Sequence, residues 1–198
     1  QKRKDYLVQY EKNRPEQNIE IKSQDIVFKQ EGDQIMVVDD LILENNCSRK
    51  IEKIGLFLNP GLQVEQIKTE DRVIDFVREK QVLVLKECFL PHEVKCIRIS
   101  YIGEIDESIC YLDLGDKIHT NPLDNQAIMS HGRHAAFVSD RFTWLTPECL
   151  WYPVRIPPVD PLLPNQSERD FTSFRLSVIC DTTLTVISQG VRIRNKDT

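Results

Sequence analysis

Residues 51–103 read IEKIGLFLNPGLQVEQIKTEDRVIDFVREKQVLVLKECFLPHEVKCIRISYIG, short apolar segments cut at regular intervals by turn residues. Apolar side chains take alternate positions at Ile54, Leu56 and Leu58, at Ile74 and Phe76, and at Ile97, Ile99 and Tyr101. Such alternation marks a strand with one buried face. The breaks fall at Asn59-Pro60-Gly61, Thr69-Glu70-Asp71, Glu79-Lys80 and Pro91-His92-Glu93. Proline removes a ladder donor, glycine accepts positive φ, and Asp or Asn bonds its own backbone, so each break is a turn with a cause. Strands joined by loops this short run antiparallel, because a parallel return takes about a dozen residues or more. The stretch predicts an antiparallel meander.

Val82-Leu83-Val84-Leu85 is apolar at every position, so this strand must be covered on both faces. In Leu62, Val64 and Ile67 the alternation slips by one residue, which predicts a bulge near Glu65-Gln66. The meander reads as one layer of a sandwich or curved saddle, with the two ends of the chain supplying the other layer. The fold class is all-β, an antiparallel meander in a saddle-like or β-sandwich arrangement.

Before the meander, residues 1–18 form a polar leader with a helical turn expected around Tyr6 to Tyr10. The opening Gln1-Lys2-Arg3-Lys4 carries no initiator Met and reads as cut from something longer. It is either the flank of a preceding membrane segment or a solvated start. Ile19 to Lys29 predicts a strand, Glu31-Gly32-Asp33 a turn, and Gln34 to Glu44 a returning strand with Ile35, Val37, Leu41 and Leu43 on one face. Asp39 interrupts that face. Its neighbour Asp40 points to the other face, so the two carboxylates do not meet for acid–base work, and a bulge or solvated edge is expected.

Residues 19–198 read as one domain, with an irregular excursion at 104–140 and a proline-rich crossover at 145–165. The excursion is long for a core connection and suits an interface or functional role. It holds His131-Gly132-Arg133-His134. Two His three apart suit a metal on a helix, but the glycine between them and the lack of a carboxylate or thiol at ligand spacing favour a solvated loop. In the crossover, Trp144, Trp151 and Tyr152 must anchor against the sheet or a partner. Phe174, Leu176 and Val178 alternate within a closing strand from Phe171 to Cys180. Leu184 to Ser188 and Val191 to Arg194 predict a last hairpin around Gln189-Gly190.

At 198 residues and 40% hydrophobic the chain is an ordinary globular one, long enough to bury roughly 70% of its unfolded surface. A net charge of −5 argues against nucleic acid as the main partner. No apolar run approaches the roughly 18 residues that would span a membrane, so no membrane insertion by these residues is expected. Repeats, a Gly-rich phosphate loop and a G-x-S-x-G elbow are all missing from the sequence. Six cysteines stand at 47, 88, 96, 110, 149 and 180, in no C-x-x-C pattern. Cys88 and Cys96 flank the turn at His92 and could face each other across a hairpin. Cys110, Cys149 and Cys180 lie in or after apolar sequence, as small buried hydrophobes do. Pro-Glu-Cys-Leu-Trp around Cys149 reads as packing rather than a catalytic thiol.

Several segments, in order, resemble the N-terminal β-domain of the aminopeptidase N family, the gluzincin zinc aminopeptidases. They are Phe57 to Leu62, the hairpin Leu85 to Glu93 leading into Ile97 to Gly103, Leu145 to Val154, Phe174 to Val178, and Leu184 to Gly190. The wording Leu-Thr-Pro-Glu-x-Leu-Trp-Tyr-Pro-Val is most similar to a bacterial branch whose peptidase region is fused to an ABC-transporter-type permease. That branch implies a soluble region of a membrane protein at the bacterial cell envelope, with the extracytoplasmic side favoured.

The family's zinc site is H-E-x-x-H with a downstream Glu, and its exopeptidase motif is G-x-M-E-N. Neither occurs here, since His92-Glu93 is followed by Val94-Lys95-Cys96. In the family both lie in the next domain. The resemblance therefore implies a non-catalytic first domain with no cofactor of its own, zinc in the catalytic domain of a parent that is a metallo-aminopeptidase or an inactive relative, that domain as partner, and peptide substrate at the cleft edge. Many members reach the substrate amine with a Gln from this domain. Phe142 to Val154 contains none, so no functional residue carries over. The expected docking surface comprises His131, Arg133, His134, Trp144, Pro147, Glu148, Trp151, Tyr152 and Pro153. The alternative is a free-standing β-sandwich binding or adhesion module of the cell envelope. A stand-alone hydrolase would have to use Cys149 or the His131/His134 pair.

Overall fold

The computed structural model describes residues 2–13, 19–111, 135–158, 172–181 and 183–193. Among the described residues one α-helix, α1 (Lys2–Lys12), precedes ten strands: β1 (Ile19–Glu31), β2 (Gln34–Asn45), β3 (Ile54–Phe57), β4 (Leu62–Lys68), β5 (Phe76–Glu79), β6 (Val82–Leu85), β7 (Val94–Gly103), β8 (Ala136–Val138), β9 (Thr143–Leu145) and β10 (Ser173–Ile179). They form a five-stranded sheet in the order β10-β1-β2-β7-β4, a three-stranded sheet β3-β6-β5, and a ribbon β8-β9. All pairs are antiparallel except β1 with β10.

The alternation of residues 51–103 lands as the sequence predicts. Ile54, Leu56, Leu58, Ile97, Ile99 and Tyr101 are buried in one cluster with Ile35, Val37, Leu41 and Leu43 of β2. The turns at Glu79-Lys80 and Pro91-His92-Glu93 close with positive φ at Lys80 and His92. The slip in β4 is a bulge, with the register shifting between Val64 and Gln66. Gly32, at φ 61°, closes the β1–β2 hairpin.

The stretch does not make one layer. Its strands are divided, β3, β5 and β6 to the small sheet and β4 and β7 to the large one. The division occurs at Asn59-Pro60-Gly61. Leu58 N donates to Gln81 O at 2.9 Å and Asn59 N to Leu150 O at 2.8 Å, so β3 runs on beside β6 instead of folding back on β4. The ends of the chain, as β1, β2 and β10, widen the large sheet rather than building an opposing one.

β6 is covered on both faces, which its sequence demands. Leu83 and Leu85 belong to the main core. Val82 packs on the other side with Phe57, Ile109, Leu150 and the two tyrosines of α1, Tyr6 and Tyr10. The leader thus contributes a helix of 11 residues in place of a single turn. Spaced four apart, Tyr6 and Tyr10 share one face of it. Tyr10 lies 5.6 Å from Phe57 between ring centroids, and the Tyr6 hydroxyl donates to Asp106 Oδ2 at 2.6 Å.

Two further expectations fail. Asp39 marks neither a bulge nor an edge. β2 pairs without interruption to β1 and β7 at this point, and Asp39 is fully buried among Val37 and Leu41. The closing hairpin does not form. Residues 184–188 and 191–193 are not strands, and Ile187, Val191 and Ile193 stand in solvent. Alternation supports a strand only when a neighbouring strand and a buried face exist for it, and here neither does.

Candidate functional site

The stretch Leu145 to Val154 holds most of the aromatic and proline residues expected to dock, and it is bonded to both sheets. It opens with Thr146, whose amide and hydroxyl both donate to Ala135 O, each at 2.9 Å. Pro147–Cys149 makes a 3-10 turn with proline near its start, where a missing N–H costs nothing. Leu150, at φ 54°, ends it. From there the backbone is fixed carbonyl by carbonyl. Asn59 Nδ2 donates to Cys149 O at 2.7 Å, Asn59 N to Leu150 O at 2.8 Å, and the Tyr101 hydroxyl to Trp151 O at 3.1 Å. Gln24 Nε2 donates to Pro153 O at 2.8 Å and Phe57 N to Val154 O at 2.7 Å. A proline-rich segment has few ladder bonds of its own, so backbone amides of Phe57 and Asn59 and the buried side chains of Asn59, Tyr101 and Gln24 supply the donors.

This anchoring separates the aromatic residues. Trp151 is 7% exposed, its ring edge-on to Phe28, Tyr152 and Phe174 with centroids at 5.9, 4.8 and 6.5 Å. Pro153 is buried with it and Tyr152 half-buried. Trp144 is 52% exposed. It sits on the β8–β9 ribbon in register with Phe137, and Phe137 lies 5.9 Å from Phe142. Phe137 and Phe142 are exposed as well, and Pro147 and Glu148 follow on the same outer stretch. Among the described residues expected to dock, Trp144, Pro147 and Glu148 therefore face solvent, whereas Trp151 and Pro153 are occupied inside the chain. His131, Arg133 and His134, and the crossover residues 159–165, lie outside the described residues. Phe137 and Phe142 escaped the sequence reading. Their signal was the pair of aromatics flanking a polar Ser139-Asp140-Arg141 turn.

No protein-family model matches this chain, and no curated protein matches it in sequence. Solved structures do match it in shape. A two-domain M1 zinc metallopeptidase bound to L-arginine aligns with 93% of the chain at a TM-score of 0.65 and 12% identity. The sheets resemble those of the M1 aminopeptidase N-terminal domain. An M1 zinc metallopeptidase from Deinococcus radiodurans covers 48% of the chain at 15% identity and a TM-score of 0.43. Legionella pneumophila aminopeptidase A in complex with aspartic acid covers 50% at 9% identity and a TM-score of 0.41. The matches span 38%, 23% and 12% of the lengths of these three proteins.

Within this M1-like fold the described residues offer no group of three or more His, Cys, Asp or Glu side chains that could hold a metal. No helix among them is long and apolar enough to cross a membrane. All six cysteines are free thiols, Cys88 and Cys96 included. Burial pushes Cys149 up to about 12 and raises Cys110 as well. A thiol so raised has almost no thiolate at neutral pH and is a poor nucleophile. Alkylation of the native chain near pH 8, followed by peptide mass mapping, is expected to label the exposed Cys180 first and the exposed Cys96, whose thiol is raised by partial burial, after it. Cys110 and Cys149 should react only after unfolding. Labelling of Cys149 as fast as Cys180 would contradict this assignment.

Proposed function

We propose that this chain is the non-catalytic N-terminal β domain of a larger zinc-aminopeptidase-like protein, where it packs on the catalytic domain and helps wall the substrate cleft. The observation that carries this reading is the fold likeness over 93% of the chain to 38% of a two-domain M1 zinc metallopeptidase. Zinc, in this reading, is held by the other domain. The exposed Phe137, Phe142 and Trp144 support a docking role, because interface cores are rich in aromatics. A stable interface needs about 800 Å² on each partner, more than three side chains supply, so Pro147 and Glu148 would join them. The Leu145 to Val154 wording and the basic start support a parent in the permease-fused bacterial branch at the cell envelope, and peptide substrate is the ligand expected at the cleft edge.

The reading frame beyond Thr198 tests this. An H-E-x-x-H and a G-x-M-E-N within the next few hundred codons are expected. A stop codon soon after Thr198 would leave a binding module that shares the fold. For the finer assignment, the codons before Gln1 should encode a permease-type membrane region, and a soluble protein there would overturn it.

A further inference from the structure

One carboxyl at the centre of the large sheet has no part in a docking role. Asp39 stands midway along β2, in register with Ile26 of β1 and Ile99 of β7, and no part of it reaches solvent. Its Oδ2 accepts a hydrogen bond from Gln24 Nε2 at 3.0 Å. The same nitrogen donates its other hydrogen to Pro153 O at 2.8 Å. Oδ1 has no partner. An ionised carboxylate offers about four acceptor sites, and one amide hydrogen serves this one. Left charged and so poorly solvated, it would cost more than the fold can easily bear, and such a group keeps its proton instead.

The charged and titratable neighbours do not relieve it. From β1 comes Asp25 and from β2 Asp40, both of the same sign as an ionised Asp39. Each is committed on the opposite face, Asp40 to Arg98 of β7 at 2.6 Å and Asp25 to Arg175 of β10 at 3.0 Å. From β7 comes Tyr101, and from the crossover Tyr152, phenols whose own ionisation is raised chiefly by burial. Burial holds the Asp39 proton well above the ordinary range, opposed in part by the Gln24 hydrogen bond and aided to a lesser degree by Asp40 and Asp25.

We propose that Asp39 is a proton-operated latch on the Leu150 to Val154 segment. With the carboxyl neutral, Gln24 bridges it to Pro153 O and the segment is closed over the sheet. With the proton lost, the carboxylate needs further donors. The Gln24 amide already reaches it and Tyr101 stands one diagonal register position away on β7, and these donors now hold Pro153 O and Trp151 O. Turning either toward Asp39, or admitting water, removes an anchor of the segment. This latch lies wholly within the chain, and its failure would leave the domain reading untouched.

The sign follows from proton linkage. Native protein holds a proton that the unfolded or opened chain has released above the ordinary carboxylate pKa of about 3.9. Closure is therefore strongest below that value and weakens as pH rises toward the raised native pKa, above which it is level. In a Trp144→Phe background Trp151 is the sole tryptophan. Its emission and its denaturation midpoint should be followed from about pH 4 to about pH 9. The opening constant is expected to rise by about tenfold per pH unit within the window, with emission shifting to the red. Asp39→Asn, neutral and of the same shape, should abolish the slope and keep Trp151 emission blue throughout. An unchanged slope in Asp39→Asn, or a level profile in its parent, overturns the latch. Should the Asn variant not fold, the infrared carbonyl band of a protonated carboxyl decides it without substitution. The latch requires that band in the native chain at neutral pH and its loss as pH rises, and its absence sinks the proposal.

Discussion

Asn59→Ala is expected to lower the unfolding free energy by about 4 kcal/mol. The side chain is fully buried and all of its bonding capacity in the turn is used. Nδ2 donates to Asp106 O at 3.1 Å and to Cys149 O at 2.7 Å, while Oδ1 accepts from Gly61 N and Asp106 N, both at 2.9 Å. Alanine would strand Cys149 O, Gly61 N and Asp106 N, and leave Asp106 O only a long bond from Ile109 N, where β3, β4, the segment after β7 and the proline-rich crossover meet. Each buried group left unpaired costs about 1–3 kcal/mol, and water entering the space recovers part of the sum. Against a total stability of about 5–15 kcal/mol the loss is severe. A fall in the urea midpoint at unchanged slope would register it. Asn59→Asp separates the two halves of the network. It keeps the acceptor but turns an oxygen toward two carbonyls, so it should be nearly as damaging at neutral pH and partly recovered in acid, where a protonated carboxyl can donate. A midpoint for Asn59→Ala close to that of the native chain would show that the crossover is held by other means.

Gly61→Ala should be nearly as costly, about 3 kcal/mol, for a different reason. A Cβ there would lie 2.1 Å from Glu104 O and 3.0 Å from Asp106 N, both backbone atoms. Space forbids it rather than φ. Opposite it stands Gly103, at φ 150°, whose own Cβ would come within 2.4 Å of Gly61 O. The two backbone segments touch through glycine at the point where β4 leaves the turn, and a methyl group must push them apart. Gly55→Ala in β3 is the control, since nothing lies within 4 Å of its Cβ. It is expected to be neutral or to stabilise by about 0.4–1 kcal/mol. Equal midpoints for the two variants would remove the packing argument.

What could be read from the sequence, and what could not, divides along the range of the interactions. Strand alternation, the bulge beside Val64, the two-faced strand at Val82 to Leu85 and the turn at Gly32 depend on neighbours in sequence, and all were legible. The division of residues 51–103 between two sheets was not. It is made by Asn59 bonding residues 47 and 90 positions away, which no local pattern records. In α1 two tyrosines one turn apart carry the apolar face in a helix otherwise mostly charged and polar, so the leader reads as polar although it packs. Asp39 misled for the reason that makes it interesting. A carboxyl on an apolar face reads as exposed only if it must stay charged, and this one can be buried by keeping its proton.

The exposure of the aromatic residues was only partly legible. Sequence marks Trp144 and Trp151 alike as large aromatics near proline, and core packing is the default for both. Tertiary context separates them, because Phe28 and Phe174 enclose Trp151 while Trp144 lies on a two-stranded ribbon with an open face. Phe137 and Phe142 acquire meaning only once that ribbon is paired.

The most direct test of the central claim is zinc-dependent hydrolysis of aminoacyl substrates, measured on this chain alone and on the polypeptide that continues past Thr198. The account predicts no turnover by the chain alone, with or without added zinc, and chelator-sensitive turnover once the following domain is present. Zinc-dependent turnover by the chain alone would contradict it.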